Sequence, residues 1–496
     1  MRPGTRSHPQ PLLGRRDPAD LPGRLRHPAP RLLRWHLPAL AGTRPLPAPG
    51  RRPTPPPGRR RHNVHRPHRL PDHHRPHRRP RTSTRRTGRP PPPHRHRAPR
   101  GRCVWHRRSR RVSRPTTAAR RSRMLLTGYF LGLGVAMAIW GARMPAVQHA
   151  AHLSTAQLSW VLLTAALGMV AGLRTGGRLA RPKRLPVFLM GGAVGLAGAL
   201  AVLGQCRTLA SLVAAALAFG IAHGVLDVAV NSAAVRCQNA YGRPIMSSLH
   251  AAYSLGALAA AALAAATAAI SHHTLFLATG LTLTAAVFAA GPSTLALHGT
   301  DQPLTSNNAG SGAAQATLAP TRLWLLGALA AASLLGEGAA ADWAAVHAHS
   351  LQATTAVAAS AFALYSAAMA LGRLSGDRLT AVFGAPTVVR TGALLAATGL
   401  TVGVLADSVP AALAGWTVFG LGLSGTVPCL ITAAGTGGPK AVAAVSVTGY
   451  LGLLAGPALI GALASTTTLP TALLLPALLA AAIAFLAHRA LENTTS

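Results

Sequence analysis

Acidic residues are scarce in this 496-residue chain: Asp and Glu together number 10, against 50 Lys and Arg, and charged residues of all kinds make up 12%. Soluble domains average about 25% charged residues, so most of the chain lacks the means to coat itself in water. Cysteine is down to four, at Cys103, Cys206, Cys237 and Cys429, none at CxxC spacing. That spacing suggests no zinc site and leaves the cysteines as small apolar residues in helices. There is no GxxxxGK[ST] loop, which speaks against ATP drive. No GxSxG or HExxH set appears, so no enzyme chemistry is expected. The N-terminal segment shows no apolar h-region, so a Sec signal peptide is not expected there.

What is present divides near residue 123. Residues 1–123 hold 35 of the Lys and Arg and 3 of the Asp and Glu. They are dominated by Arg, Pro and His, as in Arg59-Arg60-Arg61-His62, without apolar period. Such a segment cannot bury enough surface to offset chain entropy, and disorder is expected. Three readings stay open. The segment is a mis-assigned start on GC-rich DNA, with Met124 the true one. Or it is a tail held by anionic lipid. Or it contacts nucleic acid phosphates, which the near absence of stacking aromatics (Trp35 and Trp105) weakens. A peptide from residues 1–100 of the natural protein would exclude the first.

From Met124 onward the chain reads as membrane helices, each needing about 20 mostly apolar residues. Apolar stretches fall at about 124–147, 154–176, 186–205, 208–233, 246–270 and 274–291, then at 321–346, 355–376, 383–405, 409–433, 440–463 and 469–488. Between the two sets lies a polar linker rich in Ser, Asn, Gly and Gln. The expected organisation is an extension over 1–123, a six-helix bundle over 124–291, a linker over 292–320, a second bundle over 321–489 and a tail over 490–496. Basic residues cluster after the second stretch (Arg174, Arg178, Arg181, Lys183, Arg184), the fourth (Arg236, Arg243) and the eighth (Arg373, Arg378). The positive-inside rule then puts both termini and the linker in the cytoplasm.

The two halves match at an offset of 200 residues. Gly172-x-x-x-Gly176-Gly177-Arg178-Leu179 repeats as Gly372-x-x-x-Gly376-Asp377-Arg378-Leu379, and Phe219-Gly220 as Phe419-Gly420. Parallel six-helix repeats with a midplane site between them are one known transporter plan.

Those residues carry a resemblance to the major facilitator superfamily. The Gly372–Arg378 stretch is similar to its signature loop, a Gly-rich turn with Asp-Arg; the first copy departs from it, with Gly177 where the acidic residue is usual. Asp227-Val-Ala-Val-Asn231, Gly242 through Ser254, Glu337 through Trp343, and Gly449-Tyr450 with Gly456-Pro457 resemble the YbjJ-like branch of bacterial facilitators, distantly akin to fucose:proton symporters. The resemblance implies an all-α fold of twelve transmembrane helices in two pseudo-symmetric bundles. It also implies a monomer in the bacterial inner membrane that moves a small molecule by alternating access.

Ionisable groups inside a span are costly and so are functional candidates. Three acidic residues sit well inside the stretches: Asp227, Glu337 and Asp342. His223, Asp227 and Asn231 fall at i, i+4 and i+8, one face of a helix; His250 and Tyr253 share another. Counted from Arg236 and Arg243, Asp227 and His250 lie at similar depth, roughly 10–14 Å in. A carboxylate in low dielectric binds a proton readily, so Asp227 is the candidate proton site with His250 its partner, against the plainer reading of an inter-helix lock. Arg143 and Asp342 lie at matching depth in the first and seventh stretches. They are expected to form an outer gate contact, or else to be interfacial anchors, with Glu337 facing the cavity. Arg178, Asp377 and Arg378 are inner-gate candidates. Tyr365 and Tyr450 are the aromatics placed deepest, where a sugar could stack. His272-His273 and His347-x-His349 read as solvated loop histidines. No cofactor, metal or nucleic acid is expected; the expected partners are a small solute, protons and lipid. Proton-coupled symport of a small polar solute, such as a sugar, leads. A drug or metabolite efflux antiporter and a non-transporting membrane sensor are the alternatives.

Overall fold

In the computed structural model, residues 115–297 and 318–492 are described. The sequence expectations for residues 1–114, most of the linker and residues 493–496 lie outside the described residues. The described chain holds twelve helices long and apolar enough to cross a membrane. They are α1 (Thr117–Ala142), α2 (Thr155–Leu179), α3 (Pro182–Gln205), α4 (Leu209–Tyr241), α5 (Met246–Ala266), α6 (His272–Ala289), α7 (Pro320–Ser350), α8 (Thr355–Phe383), α9 (Ala385–Leu405), α10 (Val409–Gly435), α11 (Gly438–Thr466) and α12 (Leu469–Leu491). Large apolar side chains such as Val382 and Phe485 stay about three-quarters exposed, at 74% and 76%. A lipid surround suits such a surface where water does not.

Odd helices leave the face where α1 begins, here the terminal face, and even helices return to it. Most returning helices start on a side-chain cap: Ser154, Thr208, Ser271, Thr354 and Thr468 each accept a backbone N–H of the first turn. Such caps satisfy donors that a helix end otherwise leaves bare. The 200-residue repeat extends to these turns. Ser154 matches Thr354, and the residues two before them, His152 and Gln352, both adopt a left-handed φ of 50° and 66°, uncommon for non-glycine residues.

Within the N-terminal half, α2 and α4 meet backbone to backbone. A Cβ on Gly168 or Gly172 would strike the carbonyl of Leu217 or Ile221, and one on Gly220 would strike that of Ala165. Small residues permit this close approach in lipid. In the other half Gly420 meets the Tyr365 carbonyl in the same way.

Several boundaries differ from the sequence reading. The first helix begins at Thr117, seven residues before Met124, with Thr116 as its cap. The Gly172 and Gly372 stretches are not turns: α2 runs to Leu179 and α8 to Phe383. Gly372 faces Ser424 and Gly376 faces Ser247 at distances no Cβ could enter, so these glycines serve packing. Helix α10 is interrupted into Val409–Leu423 and Thr426–Gly435. Pro428 cannot donate to the carbonyl of Ser424 four residues back, and the break falls there.

Candidate functional site

The middle of the bundle encloses a cavity of about 140 Å³ between the halves, lined by Asp227, Asn231, His250, Tyr253, Glu337, Arg373, Ser446 and Tyr450 among others. Helix α4 supplies its acidic face. His223, Asp227 and Asn231 are all buried, at 5%, 6% and 3% exposure. Asn231 Nδ2 donates to Asp227 Oδ1 at 3.2 Å and to the Asp227 carbonyl at 2.9 Å. From the other half, Tyr450 Oη donates to the same Oδ1 at 3.3 Å, and its ring meets His223 edge-on at 5.9 Å. Asp227 Oδ2 and Asn231 Oδ1 are buried without a hydrogen-bond partner.

A second cluster stands on the opposite wall. Arg373 Nη2 lies 3.3 Å from Glu337 Oε1, and Nη1 donates to Ser254 Oγ across the halves at 2.7 Å. The Arg373 side chain is 8% exposed and that of Glu337 20%. The cavity therefore holds two carboxylates in different states: Glu337 is neutralised by a fixed guanidinium, whereas Asp227 is held only by neutral donors. Sequence counting set Arg373 among the loop cations that follow the eighth stretch. The longer α8 draws it inside instead.

The expected Asp227–His250 contact is not formed. The His250 Nδ1–H faces the Met246 carbonyl at 3.1 Å, and its ring packs on Phe130. His250 nonetheless lines the cavity. Both side chains line one cavity, but the direction of the His250 ring follows its own helix backbone. Tyr253 also lines the cavity, but Tyr365 does not. Tyr365 is buried against Phe362 and Phe419 in the C-terminal half. Trp140, too, belongs to the packed interior, against Phe219 and Phe276.

The expected Arg143–Asp342 pair is likewise not formed. Arg143 donates to the carbonyls of Ala264, Thr267 and Ala268 at the end of α5, where a cation complements the helix dipole. Asp342 is exposed. Two supposed loop histidines are buried. His347 accepts from Trp416 Nε1 at 3.3 Å, and His272 meets Arg207 at 3.2 Å. Among the described residues, no group of three or more His, Cys, Asp or Glu could hold a metal.

At the terminal face Asp377 bridges the halves. It accepts from the backbone N–H of Ser247 at 2.9 Å and of Ser248 at 3.2 Å. These are bare donors of the α5 N-terminus, which also favours an anion. Arg123 stands 4.0 Å from Asp377 and donates to Ser248 Oγ at 3.0 Å. Tyr241, whose ring lies 5.3 Å from the Arg123 guanidinium and 5.1 Å from that of Arg243, steadies it. Arg123 was missed because it precedes the apolar stretch. Arg178 and Arg378 are exposed; Arg178 lines a separate hollow with Arg174 and Lys440. The departure at Gly177 has a packing reason: a Cβ there would collide with Ala443. The halves thus meet through an ionic contact at Asp377 and, at the equivalent position of the repeat, through the close approach of Gly177 to Ala443.

Twelve spans in two related halves, with a polar cavity at mid-depth between them, define the architecture of a secondary transporter. Comparison with known proteins agrees. The Major Facilitator Superfamily profile matches residues 70–245. An uncharacterized transporter of Sinorhizobium fredii is 33% identical over 365 residues, 72% of this chain and 95% of the relative. An uncharacterized MFS-type transporter of Yersinia pestis is 34% identical over 355 residues, 69% of this chain and 89% of the relative. The fold resembles FucP solved in the outward conformation, with a TM-score of 0.60 and 18% identity over 75% of this chain and 99% of that one. A second structure names FucP as the E. coli fucose:proton symporter. The chain belongs to the Major Facilitator Superfamily and is a multi-pass membrane transporter of that family.

Proposed function

We propose that this transporter is a proton-coupled symporter of a small polar solute, a sugar or related metabolite, with Asp227 as the proton-binding group. The observation that carries this reading is the state of Asp227: a carboxylate buried mid-span, without a counter-charge, in the cavity wall, and hydrogen-bonded to Tyr450 of the opposite half. A lone intramembrane charge is expensive and is retained where it works. Taking up a proton removes that charge, and the cross-half bond to Tyr450 gives the protonation state a grip on the relative position of the halves. Glu337, held by Arg373, is the second charge of the cavity and orients the solute with Asn231, Tyr253 and His250. A cavity of about 140 Å³ is well below the roughly 300–1,000 Å³ of drug-sized sites, which favours a small solute. FucP, a fold neighbour, is named as a fucose:proton symporter.

The terminal face, which bears the basic residues after α2 and α4, is the cytoplasmic one by the positive-inside rule, in a bacterial inner membrane. The cross-half contacts of Asp377, Arg373 and Tyr450 lie there or at mid-depth, an arrangement suited to a site open to the other side.

Uptake into proteoliposomes, screened over sugars with and without an inward proton gradient, tests the reading. The gradient is expected to drive accumulation. Asp227→Asn is expected to leave exchange of solute across the membrane while abolishing gradient-driven accumulation and flattening its pH dependence. Accumulation by Asp227→Asn equal to that of the parent protein would reject the assignment.

A further inference from the structure

A second cavity lies outside the transport pathway. It opens between α1, α3 and α6 toward the lipid, has a volume of about 290 Å³, and is walled by residues such as Met124, Gly128, Leu133, Leu226, Ala286 and Val287. We infer that this crevice binds one acyl chain of an anionic phospholipid, with Arg121 holding the headgroup.

The wall is apolar. Its one prominent hydroxyl, Tyr129 Oη, is already bonded to Thr294 Oγ1 at 3.0 Å, so nothing there calls for water, which needs several polar partners. Glycines four apart on a membrane helix usually let a neighbour close in. On α1 the pair Gly128 and Gly132 does the opposite. A Cβ on Gly128 would meet nothing within 4 Å, and one on Gly132 only Leu283 at 3.4 Å. The space is an open slot facing lipid, with Met124 75% exposed at its rim.

Length and charge select the occupant. From Met124 to Leu133 the slot follows α1 for roughly 14 Å. That is about half of the roughly 30 Å hydrocarbon core, the reach of one leaflet's chain. Arg121 is exposed and lies three and seven residues before Met124 and Gly128, on the same helix face. It therefore stands one turn beyond the slot, at headgroup level, where a phosphodiester anion would sit. Leu133 also lines the central cavity, so the bound chain backs the helix that forms the cavity wall.

The test uses the full chain in nanodiscs containing a trace of phosphatidylglycerol or phosphatidylcholine with a diazirine in the acyl chain, and adducts are mapped by mass spectrometry. Adducts are expected on the facing residues of α1 and α6. Phosphatidylglycerol should exceed phosphatidylcholine by about fivefold, the worth of one basic residue near an anionic surface, and Arg121→Gln should erase that preference. Gly128→Trp and Ala286→Trp fill the slot from opposite walls. Each should remove these adducts while labelling elsewhere on the bundle persists, which reports that the variant is folded. Adducts spread evenly around the bundle, slot adducts that survive both Trp variants, equal yields from the two lipids, or cross-links from residues 1–114 in place of lipid would each overturn the inference.

Discussion

Replacing Asp377 by Asn isolates the energy of the closure at the terminal face. The carboxylate accepts two backbone N–H groups at the start of α5, at 2.9 and 3.2 Å. An anion at a partly buried helix N-terminus contributes about 1–2 kcal/mol. Arg123 adds less: at 4.0 Å and with its side chain 30% exposed, the pair is worth about 0.5 kcal/mol. Asn keeps one accepting oxygen but loses the charge and turns an amide NH₂ toward backbone donors. A total of about 2 kcal/mol lowers the ratio of closed to open terminal face about 30-fold, at 1.4 kcal/mol per decade. Pulsed EPR distances between nitroxides at Asn239→Cys and Thr436→Cys, in a background without native cysteines, read this directly, since one label rides on each half. Asp377→Asn is expected to add a longer-distance population, and Arg123→Gln to shift the ratio only about twofold. A distribution for Asp377→Asn that superimposes on the parent's would refute the helix-terminus account. A larger effect from Arg123→Gln would reverse the ranking of the two terms.

Three further outcomes are expected. Glu337→Leu leaves Arg373 charged and unpaired in the interior and should lower thermal stability by about 3 kcal/mol, whereas the double variant Glu337→Leu/Arg373→Leu should recover most of it; a double variant no better than either single would remove the pairing argument. Gly177→Leu places a side chain where Ala443 already sits and should open the terminal face in the same EPR experiment with no charge altered; a closed distribution would contradict the packing account. Arg143→Gln should cost about 1 kcal/mol of stability through the lost interaction with the α5 C-terminus, while Asp342→Asn changes nothing; matching losses would revive the Arg143–Asp342 pair.

The helices were legible in the sequence because hydropathy is a property of segments, and all twelve apolar stretches overlap a span. The 200-residue offset was legible for a similar reason and proved deeper than its motifs, reaching the left-handed turns at His152 and Gln352. The acidic face of α4 could be read from spacing alone, since a single helix fixes the relation of His223, Asp227 and Asn231. Partners on different helices could not. Counting residues gives depth but not direction, so Asp227 was matched with His250 when its cross-half partner is Tyr450, and Arg143 with Asp342 when it caps α5. Arg373 escaped because Gly372 and Gly376 resemble a turn in one dimension. In three dimensions they are the contact points that let α8 run on beside α5 and α10. His347 and Tyr365 failed in the other direction: a polar side chain near a helix end or at depth was assigned to water or solute when its neighbours are Trp416 and Phe419.

The interruption of α10 makes the two halves mechanically unlike. Helix α4, its counterpart, is an unbroken rod of 33 residues with Asp227 in its middle. Anything that moves Asp227 must swing the whole rod and the helices packed on it. Helix α10 is jointed at Ser424–Gly425, so its ten-residue inner piece, Thr426–Gly435, can tilt while the outer piece stays seated through its own Trp416 on His347 and Phe419 on Tyr365. One half is a lever and the other carries the hinged plate.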